Sequence, residues 1–453
     1  MNPETAADAA ARRWRALSVR SAGLALVALA LLVNLVARCA GPRRAAAPPE
    51  PAAGPTAASD ALAPERESVV PDRAAAAKEP FALAAEPAVR VALAAARGVS
   101  KVRLSTAGPC EIAVGGGAPV RRPRLEKFDV TAGAAGLRAP GVRNDVASIL
   151  VRAEGGVGVG GAAYRGEVLL EWRPGGKLDA INSVSMEDYL RGVVPGEMPR
   201  AFPAAALEAQ AIVARTYALA SVSGLRSGSP LVLTDDVSDQ VYSGVKAETA
   251  ETDAAVRRTA GLVVTFDGNP IVAYFHSTCG GHTSDPGPVL ARATSPPLRG
   301  VRCGACADSP HFRWTAEIAR DDVRRALVAC GAAEGSVAAF SIAPGTRDEG
   351  GRLLEFRATS GRDGSAIGVD ANSLRLAVGS RMLKSTRVDS IESRGGSLLF
   401  QGGGFGHGCG LCQYGARGLA ASGRDARGIL AHYFPGAAVS RVYPARADAT
   451  ARR

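Results

Sequence analysis

The chain reads as an α+β fold in which β structure dominates, and three observations carry that reading. Apolar and polar residues alternate in short runs through 88–182, with glycine-rich breaks between them. One alanine-rich pattern, opened by Pro203 and closed by Gly224, has the length and framing of a helix. Beyond it helical and strand patterns mix, with no long internal repeat.

Taken in order, residues 1–38 form an N-terminal membrane anchor or signal segment. Arg12, Arg13, Arg15 and Arg20 precede the apolar run SAGLALVALALLVNLVA at 21–37, which is 17 residues long. That is short for a membrane-spanning helix and slightly long for a signal-peptide core. The arginines would keep the N-terminus in the cytoplasm and send the rest of the chain across the membrane. Arg38 stands directly before Cys39, where lipidation demands a small residue, so lipidation is not expected. Residues 39–80 are rich in Ala, Pro and charge and read as a linker. Residues 81–445 remain for the folded part, and 446–453 make a short tail.

Within the folded part, Val89, Val91 and Leu93 alternate, then Val102 and Leu104, Ile112 and Val114, Ile149 and Val151, and VLLEW at 168–172. Short strands joined by tight turns predict a barrel or sandwich-like β-rich domain. It is joined to a mixed helical and strand part that carries the active-site groove. That part contains the helix after Pro203, a helical segment around 246–260, strands at 261–266 and 270–275, and a helix from Asp321 to Gly331. Short strands return between 339 and 401. The net charge of +11 does not mark a nucleic-acid binder, because no basic stripe interleaved with aromatics accompanies it. In an exported chain it suits an anionic envelope polymer.

Chemistry concentrates in a few places. Pro195 and Pro199 frame a turn around Glu197, a restricted backbone that would hold a carboxylate at little entropic cost. The helix behind it presents Gln210, Arg215 and Tyr217. Cys279-Gly-Gly-His282 followed by Cys303-Gly-Ala-Cys306 has the spacing of a tetrahedral zinc site, with Cys412 as the substitute for His282. Disulfides are the competing reading for an exported chain. Cys110 and Cys330 read as buried small hydrophobes or a single bridge. His407 lies among glycines that let a ligand approach, with Gln413 and Tyr414 close behind, and His276 and Ser277 precede the Cys279 turn. Ser277, His407 and Asp239 lack the nucleophile elbow of a hydrolase. His311 and His432 read as packing residues beside aromatics.

Seven collinear segments carry a family resemblance. They are EDYLRGVVPGEMP with ALEAQAIVARTYAL, DDVSDQVYSG at 235–244, FHSTCGGHT at 275–283, SPHFRW at 309–314, LKST at 383–386, GGGFGHGCGLCQYGA at 402–416 and ILAHYFPG at 429–436. Together they make the chain, over roughly 89–445, similar to the stage II sporulation protein D and LytB family (SpoIID/LytB). The resemblance implies a lytic transglycosylase that cuts the N-acetylmuramic acid to N-acetylglucosamine linkage of peptidoglycan glycan strands, with a preference for denuded strands, leaving 1,6-anhydro ends. It places the catalytic glutamate of the EMP segment at Glu197, in surroundings made partly apolar by Val193, Val194, Met198 and Phe202. Gln210, Arg215, Tyr217, Asp239, Gln240, His276, Ser277, His407 and Gln413 are the substrate-binding candidates. Zinc would be structural and no cofactor would be required for catalysis. Other LytB-type relatives enhance an N-acetylmuramoyl-L-alanine amidase, which makes a non-catalytic wall-binding enhancer the alternative. The expected setting is the cell envelope, with the catalytic part outside the cytoplasmic membrane.

Overall fold

The computed structural model describes residues 79–228 and 230–445. The apolar run at 21–37, the linker up to residue 78 and the tail 446–453 lie outside the described residues. Among the described residues no helix is long and apolar enough to cross a membrane.

The alternation at 88–182 becomes two open sheets. The larger has the spatial order Leu233–Thr234, Ala88–Val99, Lys177–Ser185, Glu167–Arg173, Ser148–Ala153, Cys110–Val114 and Val120–Arg122. The smaller runs Leu137–Arg138, Phe128–Ala132, Lys101–Thr106, Val157–Val159 and Ala162–Tyr164. Val89, Val91 and Leu93 of one sheet share an apolar core with Val102, Leu104 and Val130 of the other. Their period of two is what turns these apolar side chains to the inner face. Of the two architectures expected, the barrel is absent among the described residues, since neither sheet closes on itself.

The helix Ala204–Val222 is the wall between this core and a second one. Ala211, Ala214 and Ala218 pack into the first core, while Ala206, Ala209, Ile212 and Val213 pack into the second. A helix apolar all round is buried all round, and alanine lets neighbours approach it on both sides. It ends where expected, at a Gly224 with φ of +79°, a conformation that costs glycine nothing. The second core is built on two small sheets. One is antiparallel, Asn269–Pro270, Leu262–Phe266 and Ala438–Arg441, and the other is the parallel pair Phe275–His276 with Leu411–Cys412.

A third core belongs to residues 314–402. This stretch leaves and returns through adjacent antiparallel strands, Trp314–Ala319 and Ser397–Gly402, with Trp314 opposite Gly402. Val388–Arg394 completes that sheet, and the stretch carries another three-stranded sheet, Phe340–Pro344, Glu355–Ser360 and Ala366–Asp370, and the helices Arg320–Ala329 and Ala371–Val378.

Two local expectations are corrected. Pro195 does not stop a helix: Met186–Glu197 runs through it, so Glu197 is the last helical residue rather than part of a turn. A proline in the final turn removes one donor without preventing the helix from reaching its end. The expected strand at 270–275 pairs only at its ends, in Asn269–Pro270 and Phe275–His276. Ile271 N–H bonds Val264 O, but by Tyr274 the carbonyl accepts from Leu411, so the segment crosses between two sheets and forms no continuous ladder.

Candidate active site

Glu197 sits at the C-terminal end of Met186–Glu197, whose inner face of Tyr189, Leu190, Val193 and Val194 is fully buried. Burial pushes the Glu197 carboxyl up from 4.5 to about 7, against the opposing pull of the Val241 N–H and the Gln413 side chain. Its place at the negative end of the helix acts in the same direction as burial. The carboxyl is therefore a mixture of acid and anion near neutrality, able to give a proton and to take one back.

The donor at Val241 is held by its neighbours. Val241 N–H donates to Glu197 Oε1 at 2.7 Å. On one side, Gln240 accepts from Tyr189 Oη at 3.1 Å and donates to Ala214 O at 3.3 Å. On the other, Tyr242 donates to Asn182 at 2.9 Å and packs between the rings of Tyr164 and Tyr189. Ser243 N–H then closes onto Gly192 O at 3.1 Å. The strip reaches the helix this closely only because positions 192 and 196 are glycine. A Cβ on Gly196 would lie 2.7 Å from Val241 O, and one on Gly192 would lie 2.6 Å from the Tyr242 ring.

The second donor arrives from late in the chain. Gln413 opens the helix Gln413–Ala421, and its Nε2 donates to Gln210 Oε1 at 3.4 Å while its side chain also bonds Glu197. Gln210 is fully buried on the central helix, and its Nε2 has no partner among the described residues. Phe202 and Tyr414 pack edge to face at 5.3 Å.

Several residues expected to touch substrate are committed elsewhere. Arg215 is 0% exposed and clamps Glu187 through Nε at 2.9 Å and Nη2 at 2.6 Å. Glu187 also accepts from Tyr443 Oη and Gly261 N–H, so this buried pair ties three segments together and cannot present a guanidinium to a ligand. Tyr217 donates to Asp239 at 3.0 Å, and Asp239 also accepts from Arg226 at 2.6 Å and Thr234 N–H at 2.9 Å. Asp239 and Gln240 thus pin the strip that carries Val241. Sequence reasoning missed Glu187, Tyr189 and Val241, whose roles arise from pairings across 28 to 51 residues or from a backbone group.

His276 and His407 lie with ring centroids 5.6 Å apart, next to the parallel strand pair. His276 Nδ1 bonds Cys409 O at 3.0 Å, and His407 Nδ1 accepts from Cys409 N–H at 3.0 Å. Burial, then Arg375 and Arg352, push His407 down to about 3, so it is a neutral hydrogen-bonding group and not an acid. Ser277 Oγ bonds Thr278 Oγ1 at 3.4 Å, and Ser277 with His407 remains half-buried. Ser277, His407 and Asp239 make no relay, because each is bonded to other groups. His311 and His432 pack against Phe405 and Tyr433.

The four sulfurs of Cys279, Cys303, Cys306 and Cys412 all lie within 4.8 Å of one another and all four residues are buried. His282 is not in this set: it is half-buried, and its Nδ1 bonds Thr283 O at 2.6 Å, so Cys412 takes the fourth place. The sequence spacing favoured a local C-x2-H pair, whereas the fold brings in a cysteine from 133 residues away. The Cys279 to Cys306 sulfur separation of 3.5 Å is far beyond a disulfide bond, and all seven cysteines among the described residues are free. Donors surround the sulfurs as thiolates require: Cys279 N–H and Gly415 N–H to Cys412 at 3.3 Å, Gly281 N–H to Cys279 at 3.3 Å, and Tyr433 Oη beside Cys303 at 3.0 Å. This set fits a tetrahedral divalent ion such as zinc, whose fully protein-ligated shell supplies cross-linking and no open position. Cys412 directly precedes Gln413 and caps its helix.

Fold and site together define an α+β protein in which a carboxyl raised by burial, with its donors, lies near a buried cluster of four cysteines. The SpoIID family model, described as stage II sporulation protein, matches residues 174–266, which include Glu197, Gln210 and the Asp239–Ser243 strip. An uncharacterized protein of Brachyspira hyodysenteriae is 30% identical over 258 residues, 56% of this chain and 67% of that protein. Stage II sporulation protein D of Bacillus amyloliquefaciens is 29% identical over 278 residues, 58% of this chain and 76% of that protein. The amidase enhancer of Bacillus subtilis is 26% identical over 287 residues, 54% of this chain but only 39% of that protein. The chain belongs to the SpoIID/LytB family.

Proposed function

We propose that the protein is a peptidoglycan lytic transglycosylase in which Glu197 is both general acid and general base. The observation that carries this reading is the raised Glu197 carboxyl with its two donors. In its acid form Glu197 protonates the glycosidic oxygen between N-acetylmuramic acid and N-acetylglucosamine, and the bond to C1 breaks. The resulting carboxylate, stabilised by the Val241 N–H and Gln413, then accepts the proton of the muramic 6-hydroxyl as that oxygen closes on C1. The product is a 1,6-anhydro end, and the carboxyl is protonated again. One carboxyl suffices because the sugar supplies the nucleophile that a second carboxylate or a water supplies in glycoside hydrolases. Asp239, the other acid whose charge reaches Tyr189 together with Glu197, is taken up by Tyr217, Arg226 and Thr234. Half-buried Ser277 and His407 are the proposed contacts to the glycan.

The setting proposed with this activity is the cell envelope, outside the cytoplasmic membrane, with residues 21–37 as anchor or signal. Likeness to a protein named amidase enhancer supports a second reading, a wall-binding protein that stimulates an amidase without cutting glycan. Glu197→Gln separates the two. With the full chain and purified glycan strands, anhydro-muramyl ends counted by mass spectrometry should fall by roughly 10²–10⁴-fold while glycan binding persists. Glu208→Gln, at a residue held by Arg258 on the central helix, should retain cleavage. Undiminished cleavage by the Glu197 variant would remove the lyase reading.

A further inference from the structure

Arg352 is 0% exposed, yet among the described residues no carboxylate comes within ion-pair distance of its guanidinium. Its Nη1 donates to Gly406 O at 3.1 Å, its Nη2 donates to Cys279 O at 3.0 Å, and its Nε has no partner. Asp348 is close in sequence but takes the backbone N–H of Arg352 at 2.8 Å, not the side chain. The group is packed flat on Gly408, where a Cβ would fall 1.9 Å from Nε, so the site is shaped to hold a guanidinium. A buried cation whose direct side-chain partners are carbonyl dipoles is costly, and such groups are retained where compensating charge is near; the Asp348 carboxylate supplies part of it without bonding the guanidinium.

A further source of negative charge lies one residue's backbone away. Cys279, whose carbonyl Arg352 grips, is one of the four clustered cysteines, and the next carbonyl, Gly280 O, is held by Arg387. Four thiolates around one divalent ion carry a double negative charge, buried in the second core. Two guanidiniums sit on consecutive carbonyls of the cysteine turn, where they would offset that double charge. Both arginines come from the 314–402 segment, which contributes no sulfur to the set.

We infer that Arg352, with Arg387 beside it, is the counter-cation of a dianionic tetrathiolate metal site, through which the 314–402 segment controls metal retention. The inference rests on the cysteine cluster holding a divalent ion, and the experiment keeps the two apart. Full-length protein is prepared without chelator, its zinc is counted, and transfer of that zinc to a chromogenic chelator is timed for the wild type, Arg352→Met, Arg352→Lys and Arg387→Met. Met keeps the length and apolar stem but removes the charge. The expected result is zinc release faster by roughly 10- to 100-fold in Arg352→Met, by a smaller factor in Arg387→Met, and near the wild-type rate in Arg352→Lys. Wild-type protein with under about 0.2 equivalents of zinc overturns the metal and the inference together. Zinc-loaded wild type with an unchanged release rate in folded Arg352→Met overturns the inference alone. Should Arg352→Met not fold, Arg387→Met decides: an unchanged rate there overturns the inference.

Discussion

Glu197→Gln tests the environment of the acid without any substrate. In the folded protein the carboxyl is raised to about 7, while an unfolded chain leaves it near 4.5. Between those values the folded state holds a proton that the unfolded state has released, so stability falls as pH rises through the window. The contribution is fully present below about pH 4.5 and is lost as pH passes about 7. Its full size is about 3 kcal/mol, and solvent screening of a half-buried group reduces it to about 1.5–3 kcal/mol. Gln has no proton to lose, so it lacks this dependence. Urea unfolding of both proteins should therefore show the variant gaining on the wild type by about 1.5–3 kcal/mol between about pH 4 and pH 8. Any constant effect of the substitution cancels in that difference. A gap that stays within about 0.5 kcal/mol across the range would refute a carboxyl strained by burial.

Gly196→Ala should displace Val241, because the added Cβ would meet its carbonyl at 2.7 Å and its Cγ1 at 3.1 Å. Loss of the Val241 N–H bond removes a pull that lowers the Glu197 pKa, so the carboxyl should titrate above about 7, read by NMR of carboxyl-labelled glutamate, and the alkaline limb of the rate profile should move with it. An unmoved titration would show that the close approach does not matter. Glu187→Gln leaves Arg215 buried without its carboxylate and should cost about 3–5 kcal/mol in urea unfolding, whereas a loss under about 1 kcal/mol would mean the pair is not a structural tie.

What could be read from the sequence was what local pattern dictates. The alternation of Val89, Val91 and Leu93 specified an inward face, and Pro203 with Gly224 bracketed a helix observed at Ala204–Val222. Arg215 was not legible as a structural residue, because a guanidinium on a helix has the same chemistry whether it meets a ligand or Glu187. Only the fold decides, and it brings those two together across 28 residues. The fourth sulfur was hidden for the same reason: Cys412 reaches Cys279 through a parallel strand pair that no local spacing encodes. Gln413 was legible as a polar residue of the site, but not its bonds to Glu197 and Gln210, which lie more than two hundred residues earlier.

That parallel pair also orders events in time. The helix that ends in Glu197 is complete more than two hundred residues before Gln413, and the strand Ala438–Arg441 that pairs with Leu262–Phe266 comes later still. Contacts this distant in sequence form slowly, and a chain made or translocated from its N-terminus cannot form them until its end has emerged. A nascent or truncated chain therefore carries Glu197 without the Gln413 amide, the fourth cysteine of the cluster or the closing strand. The surroundings of Glu197 are therefore completed by segments more than two hundred residues downstream, and the carboxyl gains its full set of partners only once those segments have folded against it.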